Sequence, residues 1–386
     1  MNEVKNGIFY IGADDPNLDL FEAQYDVPNG VSYNSYVVKG DDKTVVMDTI
    51  DARKTDEWLA QMDEVLEGKA PDYLVISHLE PDHAYNIGKL AAKYPDMKLV
   101  GNATTFRMLP QYFDIKDLDG RKVVVKEGDE LDLGGKTLKF VFTPMVHWPE
   151  VMMTYVPEDK LLFSADAFGK FGTIDAGGEW EPEAARYYFN IVGKYGPQVQ
   201  AVLKKAGALD IETIAPLHGP VLTEDLGKYI GLYDKWSKYE ADIDGVLIAC
   251  ACAYNDTFKA CEKLKDILEQ RGVHVQLRDL TRQDVHQVMA EAFRYKKVVL
   301  ASSTYNMGMF PPMERLLNTL KHKAWQNHEV AIIENGSWSP AAAKCIKGEL
   351  EQMKNITVIE PVITIKGRLK EDQVPELEAL AGKLAE

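Results

Sequence analysis

From Gly245 onward the sequence alternates short apolar runs with amphipathic runs at a regular interval, and few folds accept that rhythm. The pattern predicts strands over 246–252, 273–279, 297–302, 329–333 and 356–365. Helices over 257–270, 282–294, 312–322, 340–353 and 373–385 separate them. Strands and helices alternating in this way predict a doubly wound parallel sheet, an α/β architecture whose ligands sit at the carboxyl ends of the strands.

Residues 1–244 lack that regularity. Apolar and polar residues alternate on both sides of Gly40-Asp41-Asp42, which predicts a β-hairpin. A helical pattern over 55–66 puts Trp58, Leu59, Met62, Val65 and Leu66 on one face. A short apolar strand over 73–77 leads directly into His78-Leu79-Glu80-Pro81-Asp82-His83. Further strands are expected over 98–101, 122–126, 137–143, 152–156, 160–164 and 213–216, and an amphipathic helix over about 223–239. The mixture suggests a layered α/β domain, which places the domain boundary at 244/245.

Charge follows the same division. Residues 1–244 carry 25 basic and 42 acidic side chains, net -17, whereas 245–386 carry 19 and 18, net +1. An acidic excess of this size repels phosphate backbones and anionic lipid, so neither nucleic acid nor a membrane surface is an expected partner. The most apolar run, 246–253, is far too short to span a bilayer, and the first residues lack the basic-then-apolar pattern of a signal peptide. A soluble cytoplasmic protein is expected. Cys250, Cys252, Cys261 and Cys345 include no C-x-x-C pair, which disfavours an iron–thiolate or dithiol redox site and favours reduced thiols packed as small hydrophobes.

Two imidazoles and two carboxylates within six residues after an apolar strand are costly to bury without a metal or a strong polar network. In an extended loop the side chains of His78, Glu80 and Asp82 project to one side, and His83 joins them if the chain turns after Pro81. His147, Asp166 and His218 each follow a later predicted strand. Four strand ends would then deliver four imidazoles and three carboxylates to one rim, enough for two metal ions sharing a bridging carboxylate. His274, His286, His322 and His328 have no acid or histidine cluster nearby in sequence and are expected to be ordinary.

This H-x-[EH]-x-D-H loop with its distant His, Asp and His resembles the metallo-β-lactamase superfamily, and Glu80 in the third position resembles its flavodiiron branch, the A-type flavoproteins. Zinc hydrolases usually carry His there, and a carboxylate in its place suits iron better than zinc. The resemblance implies a metallo-β-lactamase-like αββα domain (1–244) followed by a flavodoxin-like, FMN-binding domain (245–386). By the same resemblance His78, Glu80 and His147 would hold one iron, Asp82, His83 and His218 the other, and Asp166 would bridge them.

Flavodoxin-like domains hold the flavin phosphate in the loop after their first strand, at a helix N-terminus. Here that loop is 252–257, where Asn255 and Thr257 are candidate contacts while Asp256 brings a negative charge toward the phosphate position. Ser303, Thr304, Tyr305, Asn306 and Gly308 resemble the second flavin loop, and Gly336, Ser337 and Trp338 the third.

The function implied is an FMN- and diiron-dependent oxidoreductase that reduces dioxygen to water, nitric oxide to nitrous oxide, or both. The chain has no rubredoxin or flavin-reductase module, so it needs an external donor, rubredoxin or reduced F420. A head-to-tail homodimer or homotetramer follows from the same resemblance. Tyr195 is a candidate wall of the gas pocket, against the plainer reading of a surface-loop tyrosine. Two rivals stand beside this: a zinc-dependent hydrolase with an accessory flavodoxin-like domain, and an electron carrier without catalysis. The charge division further predicts that a small acidic donor docks beside the flavin loops and avoids the acidic first part.

Overall fold

The structure, a computed structural model, describes residues 2–386. It divides into two compact units between Asp234 and Lys235. The second unit therefore begins before the alternating pattern does, since its first strand is Ile243–Ala251.

The first unit contains two larger sheets. One has seven strands in the order Asn2–Lys5, Ile8–Tyr10, Tyr36–Lys39, Thr44–Met47, Tyr73–Val75, Lys98–Asn102, Lys122–Val125. The other has five, in the order Glu130–Asp132, Thr137–Phe142, Met152–Val156, Leu161–Phe163, Thr213–Ala215. Val38, Val45, Val75 and Val100 from the first sheet share one buried cluster with Leu138, Phe140, Met152 and Phe163 from the second, so two sheets close on a common core. The expected hairpin is present, with Lys39 opposite Thr44 across the turn. The helix Thr55–Leu66 buries Trp58, Met62, Val65 and Leu66, the face its periodicity predicts.

Strand directions bring the chemistry to one rim. Thr137–Phe142 and Leu161–Phe163 both run antiparallel to Met152–Val156, and Thr213–Ala215 runs parallel to Leu161–Phe163. The carboxyl ends of these three strands, leading to His147, Asp166 and His218, therefore lie on the same side.

The second unit has the expected parallel sheet, ordered Val275–Asp279, Ile243–Ala251, Tyr295–Tyr305, Glu329–Asn335, Thr357–Ile365. Helices Asp256–Gln270, Val285–Arg294, Pro311–His322, Ala342–Leu350 and Val374–Ala385 alternate with these strands. The third strand runs longer than its apolar stretch, and its tail pairs with Gly308–Met309, so Thr304 and Tyr305 lie on a small hairpin. All four cysteines are free, and Cys250 and Cys261 are buried in the core as small hydrophobes.

The helix Asp256–Gln270 docks through Ala260, Cys261, Leu264, Ile267 and Leu268, spaced three and four apart. Leu264 is fully buried among strands and the last helix. Truncation to Ala should cost about 2–5 kcal/mol through lost burial and the cavity left behind. Urea unfolding should show a lower midpoint with an unchanged slope.

Candidate metal centre and cofactor loops

The His78–His83 segment departs from the expected extended loop. Glu80 ends the extended stretch and Pro81 opens a helical turn, Pro81–Ala84, because proline is preorganised for the first helical position. The turn splits the motif in two: His78 and Glu80 face one group of ligands, Asp82 and His83 another.

His78, Glu80, His147 and Asp166 form one cluster in which a donor atom of each lies within 4.8 Å of the others. Asp82, His83 and His218 form a second by the same measure. In the first, Glu80 Oε2 stands 3.3 Å from His78 Nε2 and 3.0 Å from His147 Nε2. In the second, Asp82 Oδ2 stands 3.4 Å from His83 Nε2 and 3.3 Å from His218 Nε2. Asp166 spans both: Oδ2 lies 3.3 Å from His78 Nε2 and 3.0 Å from His147 Nε2, while Oδ1 lies 3.1 Å from His83 Nε2 and 3.9 Å from His218 Nε2. All seven sequence-predicted residues are thus brought together.

The electrostatics match a centre built for cations. Both oxygens of Asp82 and of Asp166, both ring nitrogens of His83, and Nε2 of His218 are buried with no properly directed hydrogen bond among the described residues. Such a set is costly unless positive charge fills it. Burial opposes protonation of His147, yet Asp166 and Glu80 beside it outweigh that and push the imidazole up to about 9. Burial likewise disfavours the Glu80 carboxylate, but hydrogen bonds from His147 and His78 hold it far below the usual range. Protons on the imidazoles therefore do part of the work that metal ions would do.

Residues outside the ligand set hold this arrangement, and sequence reasoning missed them. Glu150, fully buried, accepts from His78 Nδ1 at 2.8 Å and from the Leu79 amide at 2.9 Å, leaving Nε2 to face the cluster. Burial works against its ionisation, but the bond from His78 keeps its carboxyl below the ordinary value. The available signal was an acid three residues after His147, just before an apolar strand. Asp48 accepts from the amides of Ser77 and His78, fixing the loop where it leaves the strand. His218 donates from Nδ1 to the Ser32 carbonyl at 2.7 Å. Asn34 ties down the same loop through the carbonyls of Pro216 and Gly219.

Aromatic rings wall the second cluster. Phe21, Tyr33 and Tyr187 lie with centroids 5.4, 5.9 and 5.4 Å from the His218 ring. Tyr187, not singled out from sequence, is buried, and its phenol is raised by that burial and by the charges of Asp166, Glu80 and Asp82. Tyr195 is half-buried as the N-cap of the helix Gly196–Ala206, and no described contact links it to either cluster.

In the second unit the three predicted loops share the carboxyl edge of the sheet. Asn255 takes a left-handed conformation (φ 67°) as N-cap of Asp256–Gln270 and makes no side-chain capping bond. The start of a helix at this edge is where an anion is favoured. The charge of Asp256 has a partner, Arg368 at 3.5 Å. Thr257 and Ser303 approach to 3.3 Å, joining the first and second loops. The Thr304 hydroxyl, expected to meet the cofactor, accepts from the amides of Ala341 and Ala342 and so organises the third loop. Gly336 is required there, since a Cβ would meet Pro340 Cα at 2.9 Å and Thr304 Oγ1 at 3.0 Å. Tyr305, Asn306, Ser337 and Trp338 are exposed and Gly308 is half-exposed; Trp338 reaches 82% exposure. Large rings left this open on a polar edge mark a surface that binds something flat.

Residues 31–219 match the model of the ODP family beta lactamase. Over 100% of the chain and 98% of its own length, an uncharacterized protein of Methanocaldococcus jannaschii is 29% identical. A nitric oxide reductase of Moorella thermoacetica is 29% identical over 99% of the chain and 97% of its length. Among solved structures, the flavodiiron protein of Giardia intestinalis superposes with a TM-score of 0.92 at 26% identity, covering 100% of this chain and 95% of that one. The rubredoxin oxygen:oxidoreductase of Desulfovibrio gigas gives 0.91 at 27%, covering 100% and 97%. The class is thus a β-lactamase-type metal domain fused to a flavodoxin-like domain. Within it, the chain is similar along its whole length to proteins of the flavodiiron type, whose cofactors are FMN and a non-haem diiron pair, and its own His, Asp and Glu clusters fit such a metal pair. The buried orphan atoms fit two cations, and the three loops fit a flavin. Among the described residues no helix is long and apolar enough to cross a membrane.

Two predictions follow from the geometry around His78 and His147. Glu150→Gln should weaken metal binding about 10–100-fold while the fold survives, because it removes the charge that orients His78; competitive chelator titration with far-UV circular dichroism checks both parts. Below a pH of about 9 the metal-free protein keeps His147 protonated, so an incoming metal must expel that proton. Metal uptake at pH 8 should release protons, and apparent affinity should fall as pH is lowered, as read by calorimetry in buffers of different ionisation enthalpy.

Proposed function

We propose that this protein is an FMN- and diiron-dependent oxidoreductase that reduces dioxygen to water, nitric oxide to nitrous oxide, or both, with electrons from an external donor, rubredoxin or reduced F420. The observation that carries this is Asp166, whose two oxygens face two clusters each made of imidazoles and a carboxylate. His78, Glu80 and His147 would hold one iron, Asp82, His83 and His218 the other, with Asp166 shared. The bound iron pair supplies the redox chemistry, and the flavin, held by loops 252–257, 302–310 and 335–339, supplies electrons.

The chain's own residues set the conditions. Reduction of dioxygen to two waters consumes four electrons and four protons, and coupling of two nitric oxides to nitrous oxide and water consumes two of each. Phe21, Tyr33 and Tyr187 pack around the His218 ring and shield that side from water. Carboxylates in both clusters favour the higher oxidation state of a hard metal. The relatives' names support both gases: one is a nitric oxide reductase, another a rubredoxin oxygen:oxidoreductase. Assembly is proposed as a head-to-tail homodimer or homotetramer in which the flavin of one copy serves the metal pair of another. A cytoplasmic location fits the composition.

The test is anaerobic purification with iron, zinc and flavin quantified, then turnover on each gas with one donor. Two irons and one flavin per chain are expected, with turnover of at least one gas abolished by Glu80→Ala and by His147→Ala. Two zincs without iron would instead favour a hydrolase, and unchanged turnover in both variants would favour a plain electron carrier.

A further inference from the structure

We propose that Glu334 tunes the flavin: its buried carboxylate clamps the root of the third cofactor loop and sets a fixed negative charge there, which lowers the flavin's reduction potential. This rests on the reading above that loops 302–310 and 335–339 hold the flavin. Glu334 immediately precedes the third loop, in the strand Glu329–Asn335, and is 8% exposed. It pairs across the sheet with Ser302, where the second loop begins, and on its other side with Thr364. Oε2 accepts from the Ala343 amide at 3.0 Å, and Oε1 accepts from the Thr364 hydroxyl at 2.9 Å. Both oxygens act as acceptors, the pattern of an ionised carboxylate. Among the described residues no cation pairs with it, whereas Asp256 at the same edge has Arg368.

The helix Ala342–Leu350 starts after Ala341, whose side chain cannot cap it. Thr304 takes the amides of Ala341 and Ala342, and Glu334 takes that of Ala343, so side chains from two neighbouring strands supply the cap. Successive side chains of a strand point to opposite faces, and the next residue, Asn335, is tied to Gly367 by two hydrogen bonds of 2.7 and 3.0 Å. The third loop is thus held at its root from both faces of the sheet. A neutral Gln could make the same two contacts as Glu334, accepting from the amide and donating to the hydroxyl, so capping alone does not call for a charge. The helix start carries about half a positive charge, which leaves roughly half a negative charge uncompensated. Two-electron reduction with uptake of one proton turns a neutral flavin ring into an anion. A fixed negative charge nearby disfavours that form more than the neutral oxidised one. The potential falls, and onward transfer of both electrons to the iron pair is favoured.

The test uses the full chain loaded with flavin and iron, as the parent protein and as Glu334→Gln, Glu334→Asp and Thr304→Val. Flavin potentials are read by anaerobic spectroelectrochemical titration, and FMN release on dilution by fluorescence in both oxidation states. Glu334→Gln should raise the equilibrium constant for two-electron reduction about tenfold, a positive shift of about 30 mV. Glu334→Asp keeps the charge and should keep the parental potential. Thr304→Val loosens the same helix start without changing charge, so FMN should leave faster in both oxidation states while the potential stays put. If Glu334→Gln does not retain flavin, Thr364→Lys carries the test, because it sets a cation beside the intact carboxylate and should raise the potential too. An unmoved or lowered potential in the flavin-loaded charge variant would overturn the proposal, as would Thr304→Val raising the potential as far. A parent protein that binds no flavin would overturn both this proposal and the functional reading. A parent protein that reduces neither gas, while Glu334→Gln still shifts its flavin potential upward, would overturn the functional reading and leave the tuning standing.

Discussion

The first unit depends on one carboxylate facing two ways. Asp166 is fully buried, and each of its oxygens looks toward imidazole nitrogens from a different group. Held alone in a dry interior it would be strongly destabilising, because an ion there loses its hydration without recovering it. The charges of His83 and His78 more than offset that burial penalty and keep it ionised. The surrounding strands can be read as the scaffold this arrangement demands: carboxyl ends of parallel-related strands deliver one ligand each, Asp48 and Glu150 fix the loop that carries His78, and Asn34 fixes the loop that carries His218. Loosening any of these supports lets imidazoles drift toward water, where they no longer balance Asp166.

Much of this was legible in the sequence because the costly residues are crowded. His78, Glu80, Asp82 and His83 within six positions cannot be dismissed as packing, and once they set the chemistry, the acid and histidines after later strands become interpretable. The turn at Pro81 was half legible from the residues alone: the proline signalled a bend, while the division that sends Asp82 and His83 to a second cluster came from the family resemblance, and the structure shows that division. Glu150 and Tyr187 were hidden for a different reason. Their roles depend on which strands pair and how helices cap the rim, and a lone acid or a tyrosine in an aromatic run carries no local mark of that.

The second unit shows the opposite balance. Its regular rhythm made sheet, strand order type and ligand edge readable, yet individual contacts on that edge were harder to foresee. Thr304 looks like a ligand hydroxyl by sequence but is taken up by two backbone amides, because a helix start nearby leaves donors that must be satisfied. Asp256 looks unfavourable for a phosphate until Arg368, more than a hundred residues away in the chain, is seen beside it. Surface pairs of this kind contribute little to stability. Their consequence here is electrostatic: they remove a repulsive charge from the mouth of an anion site.

Glu80 separates this centre from a hydrolytic one more sharply than the fold does. A hydrolase needs its metal to acidify a bound water, and each negatively charged ligand lowers the positive charge available for that. At the position where a histidine would serve that purpose, this chain places a carboxylate 3.0 Å from His147 and keeps it ionised. Together with Asp82 and Asp166 it brings three negative charges to two metal ions. That reduces their Lewis acidity and stabilises their more highly charged, oxidised form, a change useful for passing electrons and unhelpful for activating water. Beside this, the flavodoxin-like unit is no accessory: a centre whose ligands favour oxidation needs a source of electrons, and the same chain supplies an edge shaped to hold one.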